Sequence, residues 1–139
     1  MTKREGRYRG IDHVGIAVED LDAARDVFER LLGMTVVEEE EVADQGVRVV
    51  KLDAGGGELE LLGATRDDSP VAKHLTRRGP GLHHVTVRVE DLSRTLRELE
   101  DAGVELIDRE PRDGAGGSRI AFLHPRSCAG VLVELIERA

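Results

Sequence analysis

The chain contains one twelve-residue segment twice. Residues 10–21 read GIDHVGIAVEDL, and residues 81–92, seventy-one positions later, read GLHHVTVRVEDL, with seven of the twelve positions identical. A shorter echo closes each half, LELL at residues 59–62 and VELI at residues 133–136. A repeat at a fixed spacing predicts two copies of one supersecondary module, which removes from consideration any fold whose two halves are unrelated.

Each copy has a histidine at the same position near its start and a glutamate near its end. These four residues are His13, Glu60, His84 and Glu134. A single histidine is more often a core or surface residue than a ligand, but a glutamate inside an apolar strand is costly to bury unpaired. Here such a glutamate occurs at matched positions in both copies. Two imidazoles and two carboxylates predict a divalent metal site suited to Zn, Co, Ni or Mn, with positions left open for water or substrate.

The first copy is predicted to fold as β-α-β-β-β. Alternating apolar residues predict a buried strand over 11–18, followed by a helix capped by Asp20 and stopped by Gly33. The apolar face of this helix consists of Leu21, Ala24, Val27, Phe28, Leu31 and Leu32. The later strands are predicted over 34–37, 47–52 and 58–62, with the acidic run 38–41 as a solvated edge or turn.

The second copy repeats the pattern. Asp91 is the expected helix cap and Gly103 the expected stop, and the later strands are predicted over 104–107, 120–123 and 131–136. The predicted organisation is a single domain over 1–139, with a flexible tail 1–9, module one 10–62, a connector 63–80 with a short helix, and module two 81–137.

Composition excludes several classes of function. The net charge is −8 at pH 7, whereas a nucleic-acid-binding protein needs a basic face. No stretch approaches the ~20 apolar residues of a membrane span, and the opening residues lack an apolar signal region. A single cysteine, Cys128, allows no intrachain disulfide and fits a reducing cytoplasm. We therefore expect a cytoplasmic protein whose partner is neither nucleic acid nor a membrane.

Several stretches resemble the methylmalonyl-CoA epimerases of the vicinal oxygen chelate superfamily, and together they span residues 10–137. The strand motifs are generic to the superfamily, whereas the connector and the C-terminal motifs are more specific. The matching stretches are IDHVGIAV (11–18), QGV (45–47), DSPVAK (68–73), GLHH (81–84), EPR (110–112), GSR (117–119), FLHP (122–125) and GVLVE (130–134).

The resemblance implies an α+β vicinal oxygen chelate fold, in which two tandem β-α-β-β-β modules form a curved mixed sheet around a metal site. It implies a divalent ion (Co, Mn, Ni or Zn) held by the four matched residues His13, Glu60, His84 and Glu134. It also implies an acyl-CoA thioester substrate, epimerisation at C2 through a metal-stabilised enolate, and a homodimer. Lys73, Arg77 and Arg78 form the nearest basic cluster for the CoA phosphates, although a solvated helix face predicts the same pattern.

One position departs from part of that family. Some epimerases have a glutamine at the position of Glu60 and a glutamate base at the position of Val49. Valine cannot move a proton, so we expect Glu60 and Glu134 to serve as the two acid-base groups. That role matches the one attributed to metal-bound glutamates in the related glyoxalase I. His124 is a weaker candidate for the second group.

Two other functions fit the same fold. A glyoxalase I-like lactoylglutathione lyase would use the same metal ligands, although the connector and C-terminal motifs look like those of the epimerases. A non-catalytic binding protein would tend to lose the ligands and to use aromatic walls. Here all four candidate ligands are present, and the chain has only three aromatic residues of the Phe, Tyr and Trp types.

Overall fold

The computed structural model describes residues 7–139. By their contacts these residues group into a first unit, His13–His83, and a second unit, His84–Ala139 together with the described residues up to Asp12. The boundaries fall directly before His13 and His84, inside the two copies of the repeated segment. Among the described residues, no helix has the length and apolar character needed to cross a membrane.

The first unit contains two helices and a mixed sheet. Its elements are β1 (Tyr8–Val18, which begins before the unit), α1 (Leu21–Arg25, continued by a π-helical segment Asp26–Leu31), β2 (Thr35–Val42), β3 (Val47–Asp53), β4 (Glu58–Ala64) and α2 (Pro70–Arg78). The strand order is β2-β3-β4-β1. The pair β1 and β4 is parallel, and the other two pairings are antiparallel.

The second unit repeats this topology. Its elements are β5 (Gly81–Val89, which begins in the first unit), α3 (Leu92–Asp101), β6 (Arg112–Asp113), β7 (Arg119–Leu123) and β8 (Val133–Glu137). The strand order is β5-β8-β7-β6, again with one parallel pair, β5 and β8, and two antiparallel pairs. The predicted β-α-β-β-β arrangement of each copy is therefore confirmed.

The helices begin where the sequence predicts. The side chain of Asp20 accepts a hydrogen bond from the Ala23 N–H, and that of Asp91 accepts one from the Arg94 N–H, so each carboxylate caps a free amide of the first turn. α2 starts in the same way at Ser69, whose hydroxyl accepts from the Ala72 N–H.

Both faces of the first unit's sheet are covered. One face packs against α1 through a cluster that includes Val50, Leu52 and Leu61. The opposite face packs against Val71 and Leu75 of α2. The residues buried between α2 and the sheet are Ala17, Val47, Val49 and Leu62. In the second unit, one core cluster joins Leu92 and Leu96 of α3 to apolar residues of β5, β7 and β8.

The predicted helical face of the first unit is only partly correct. Leu21, Ala24 and Phe28 pack on the sheet, but Leu31 and Leu32 are 61% and 59% exposed. The cause is a change of winding. The Leu32 N–H donates to the carbonyl of Val27, five residues back, and this wider turn rotates the end of the helix away from the 3.6-residue stripe.

The predicted strand over 104–107 is wrong. Only Leu106 forms an isolated bridge to Leu123. The Ile107 and Asp108 N–H groups both donate to the Phe122 carbonyl, and the Phe122 N–H donates to the Asp108 carboxylate. Because the aspartate side chain takes the next ladder position, regular pairing stops. The second unit forms the short β6 at 112–113 instead.

Two other predicted boundaries move. The acidic run 38–41 lies at the solvated edge of the sheet as expected, but as a continuation of β2, not as a turn. Of the flexible tail predicted over 1–9, residues 1–6 lie outside the described residues, whereas Tyr8 and Arg9 belong to β1. Ion pairs of Arg7 with Glu98 and of Arg9 with Glu90 hold this segment.

Candidate metal and acid-base site

The first unit brings His13 and Glu60 together. β1 and β4 run parallel with Gly15 opposite Glu60. Since alternate residues of a strand point to the same face, the His13 side chain lies on the face of Gly15 and Glu60. The Nε2 atom of His13 is 3.4 Å from Oε2 of Glu60, and both side chains are nearly excluded from solvent, at 7% and 12% exposed.

The second unit brings His84 and Glu134 together by the same register. Thr86 lies opposite Glu134 in the parallel pair of β5 and β8, and His84 shares its face. The Nε2 atom of His84 is 3.7 Å from Oε1 of Glu134, with both side chains 9% exposed. The hydroxyl of the fully buried Thr86 donates to Oε1 of Glu134 over 2.6 Å.

The antiparallel neighbours of the two glutamates differ. Lys51 of β3 lies opposite Glu60, whereas Phe122 of β7 lies opposite Glu134. The Phe122 ring also meets the His84 ring edge-on, with centroids 6.4 Å apart.

Lys51 is a partly buried cation among carboxylates. Its Nζ lies 3.3 Å from Oε2 of Glu38 and 3.4 Å from Oε1 of Glu40, and its side chain is 14% exposed. Burial lowers the pKa of Lys51, but the carboxylates of Glu60, Glu40 and Glu38 together raise it by more than burial lowers it. The net shift of the pKa is therefore upward. The side chain therefore remains an ammonium ion at neutral pH.

Each His–Glu pair has the spacing of two ligands on one metal ion. Donor atoms that are each about 2.1 Å from a tetrahedral ion lie about 3.4 Å apart. The observed separations of 3.4 and 3.7 Å are close to that value. Imidazole nitrogen and carboxylate oxygen also form the donor set that Zn and the neighbouring divalent metals accept. The residues of each unit therefore fit a divalent cation.

The remaining histidines are engaged elsewhere. The rings of His74 on α2 and His83 on β5 meet edge-on, with centroids 4.8 Å apart. Burial, followed by the charge of Arg78, lowers the pKa of His74. His124 accepts a hydrogen bond from the Arg126 N–H through Nδ1, and its Nε2 lies 3.6 Å from Glu105. Its own unit thus gives it the role of a turn cap.

Val49 is 6% exposed and packs in the apolar cluster beneath α2, so no proton-transfer group occupies its place.

Sequence reasoning missed Lys51, Thr86 and Phe122. Thr86 could have been found, because it occupies the repeat position of Gly15. The other two depend on the hairpin register, which the sequence pattern alone does not determine.

The sequence and the fold of this chain are similar to those of known proteins. A family described as the glyoxalase/bleomycin resistance protein/dioxygenase superfamily matches residues 12–122. The ethylmalonyl-CoA/methylmalonyl-CoA epimerase of Cereibacter sphaeroides is 36% identical over 127 residues, which cover 90% of this chain and 95% of that protein.

Two solved structures are similar over nearly the whole chain. The methylmalonyl-CoA epimerase of Mycobacterium tuberculosis is 41% identical with a TM-score of 0.90, covering 99% of this chain and 93% of its own. A methylmalonyl-CoA epimerase in complex with methylmalonyl-CoA and NH4+ is 41% identical with a TM-score of 0.85, covering 95% and 96%. The chain therefore belongs to the glyoxalase/bleomycin resistance protein/dioxygenase superfamily and, within it, to the family of the methylmalonyl-CoA epimerases.

Proposed function

We propose that the protein is a metal-dependent epimerase that interconverts the 2R and 2S forms of methylmalonyl-CoA or of a close 2-alkylmalonyl-CoA. The observation that carries this proposal is the pair of largely solvent-excluded His–Glu contacts at matched positions of the repeat, 3.4 and 3.7 Å long. The substrate class follows from the relatives, which are named for methylmalonyl-CoA and ethylmalonyl-CoA.

The proposed metal ligands are His13, Glu60, His84 and Glu134, sharing one Co, Mn, Ni or Zn ion. His13, His84 and Glu134 are buried, and each offers one ligand atom. When bound, such an ion supplies Lewis-acid stabilisation of the negative charge that develops on the thioester and carboxylate oxygens of the substrate. The buried setting strengthens this electrostatic effect, because little water competes for the charge.

The proposed acid-base groups are Glu60 and Glu134. Inversion at C2 requires that a proton leaves one face of the carbon and that a proton arrives at the other face. Each unit contributes one carboxylate, so each glutamate would serve one face and exchange roles in the reverse direction. The apolar surroundings of Val49 support this division, because that position offers no other base.

The coenzyme part of the substrate needs positive charge. Lys73, Arg77 and Arg78 lie exposed on α2 of the first unit, and we include them in the proposal as contacts to the CoA phosphates. We also propose a cytoplasmic homodimer, as the resemblance implies. The relatives described above are named epimerases, so neither the lactoylglutathione lyase nor the non-catalytic binding protein is proposed.

The deciding experiment is proton NMR in D2O with racemic methylmalonyl-CoA. We expect the C2 proton of both enantiomers to exchange with solvent in the presence of the protein and a divalent metal. A chelator should stop the exchange, and added Co²⁺ should restore it. Exchange that continues at the same rate in the metal-stripped protein would contradict the metal assignment. Failure of the metal-loaded protein to exchange either enantiomer would contradict the epimerase itself.

A further inference from the structure

A row of charged side chains crosses the sheet of the first unit beside Glu60. Glu38 of β2, Lys51 of β3 and Glu60 of β4 occupy consecutive cross-strand positions. Cross-strand partners share one face of a sheet, so the three side chains project on the face that carries His13. Glu40, two residues after Glu38, joins the row through its contact with Lys51.

Lys51 separates Glu60 from the two acidic side chains of the edge strand. Its ammonium lies 3.3 and 3.4 Å from the carboxylates of Glu38 and Glu40. Glu60 lies directly opposite Lys51 in the antiparallel pairing of β3 and β4. Without this cation, Glu60 and the two acidic side chains of β2 would lie on one face of the sheet, on either side of β3, with no positive charge between them. Like charges repel one another, and the repulsion is stronger where water is partly excluded.

We propose that Lys51 is a positioning residue for Glu60, holding its carboxylate by charge in the orientation that proton transfer at C2 requires. This inference rests on the proposed function, because it assigns Glu60 to one face of the substrate. The second unit positions Glu134 in a different way, through the Thr86 hydroxyl, and has Phe122 where the first unit has Lys51. The two faces of the substrate are therefore served by glutamates that different partners hold.

The test compares Lys51→Met, Lys51→Gln and Lys51→Arg in the full-length, metal-loaded protein. Methionine keeps the length of the stem and removes the charge, glutamine keeps polarity, and arginine keeps the charge. We expect the two neutral variants to slow C2 exchange of one enantiomer by about 10- to 100-fold, the scale of a misplaced catalytic group. The other enantiomer should exchange within about twofold of the parent rate, since Glu134 is untouched.

Metal affinity provides a second readout that does not depend on turnover. Loss of an outer-shell partner of a metal ligand typically costs about 10- to 100-fold in metal affinity, so the neutral variants should bind Co²⁺ about tenfold more weakly in titrations of the metal-stripped protein. A merely structural role for Lys51 predicts that metal affinity and the exchange of both enantiomers fall together, in step with a lower melting temperature. Lys51→Arg should leave both the affinity and the exchange rates near the parent values.

A combined variant separates the positioning of Glu60 from neutralisation of the edge strand. In Lys51→Met with Glu38→Gln and Glu40→Gln, the acidic neighbours are neutral, and the proposal expects slow exchange of the same enantiomer. Recovery of the parent rate would show that Lys51 only balances Glu38 and Glu40. If the neutral variants slow both enantiomers equally, or slow neither, the role of Lys51 is overturned while the proposed function stands. A parent protein that exchanges neither enantiomer would overturn the proposed function, and this inference with it.

Discussion

The two units contain the same backbone arrangement but surround their glutamates with different chemistry. In both, a histidine of one strand meets a glutamate on its parallel neighbour, at 3.4 Å in the first unit and 3.7 Å in the second. Around Glu60 lie Gly15 and the cation Lys51. Around Glu134 lie a hydroxyl donor, Thr86, and an aromatic ring, Phe122.

This difference indicates which parts of the repeat are constrained. An epimerase works on two opposite faces of one carbon, so it needs two acid-base groups but does not need identical ones. The pairing of the histidine with the glutamate is common to both units, whereas the neighbours that hold the carboxylate are not. Substitution of a histidine should therefore affect both faces of the substrate, and substitution on the glutamate side should affect one.

The largest effect is expected for the histidines. His13→Ala and His84→Ala each remove a proposed metal ligand, so both exchange reactions should collapse together in either variant. Metal affinity should fall by more than the about 10- to 100-fold that loss of an outer-shell partner typically costs. Metal content by elemental analysis and C2 exchange by NMR measure the two effects.

The control for these variants is His83→Ala. His83 is adjacent to His84, but its ring contacts His74, so metal content and exchange should stay near the parent values. If His84→Ala retained full metal content and activity, the two histidines would not be equivalent ligands and the symmetry between the units would be broken.

The glutamates should separate the two faces. In Glu60→Gln the amide oxygen can still coordinate a metal but cannot accept the C2 proton, so exchange of one enantiomer should fall by ~10²–10⁴-fold. Glu134→Gln should show the same loss for the opposite enantiomer. The measurement is C2 exchange in D2O with each enantiomer separately.

The exposed Glu19→Gln serves as the control for this pair, since it makes the same chemical change away from both His–Glu contacts. Parent-like epimerisation by Glu60→Gln would mean that Glu60 is a ligand only and that another group delivers the second proton.

Much of this organisation could be predicted from the sequence. The repeat puts His13 and His84 at equivalent positions of the two copies, and likewise Glu60 and Glu134. The caps at Asp20 and Asp91 follow from local hydrogen bonding. Periodicity could not predict the exposure of Leu31, because a π-helical turn changes the period on which the pattern depends.

The cross-strand partners of the glutamates could not be predicted from the sequence either. The opposition of Lys51 and Glu60 is fixed by the length and geometry of the hairpin between β3 and β4, and a slip of one residue would turn Lys51 to the other face. The missing strand after α3 has a similar cause. The Asp108 side chain accepts the hydrogen bond that the Phe122 N–H would otherwise donate to a backbone carbonyl. Whether a side chain competes with the backbone in this way depends on the tertiary contacts, which the periodicity of the sequence does not reveal.

A smaller and one-sided effect is expected for Thr86→Val, which removes the hydrogen bond to Glu134 while preserving shape. Loss of one partner of a charged, buried group costs about 1–3 kcal/mol. Exchange of the enantiomer served by Glu134 should slow by roughly tenfold, whereas Lys51→Met should slow exchange of the other enantiomer. Thr95→Val is the matched control, because Thr95 is equally buried but donates to the Asp91 carbonyl. Equal slowing of both enantiomers would show that Thr86 does not act through Glu134.

The smallest effect concerns α2, the helix of the first unit that has no counterpart in the repeat. Combined substitution of Lys73, Arg77 and Arg78 by glutamine should raise KM severalfold at low salt and leave kcat unchanged, because phosphate contacts contribute to binding and not to proton transfer. The difference from the parent should shrink towards 1 M salt, where the Debye length is about 3 Å and the parent's own contacts are screened.

The matched control for the α2 variant places the same charge change on the second unit. Arg94, Arg97 and Arg109 are exposed there, and their substitution by glutamine should leave KM unaltered at every salt concentration. A KM that rises equally in both triple variants would show that overall charge, not α2, attracts the coenzyme. A KM that rises only in the α2 variant would assign coenzyme binding to one unit while proton transfer is divided between both. The asymmetry of the molecule would then extend from the glutamates to the recognition of the substrate.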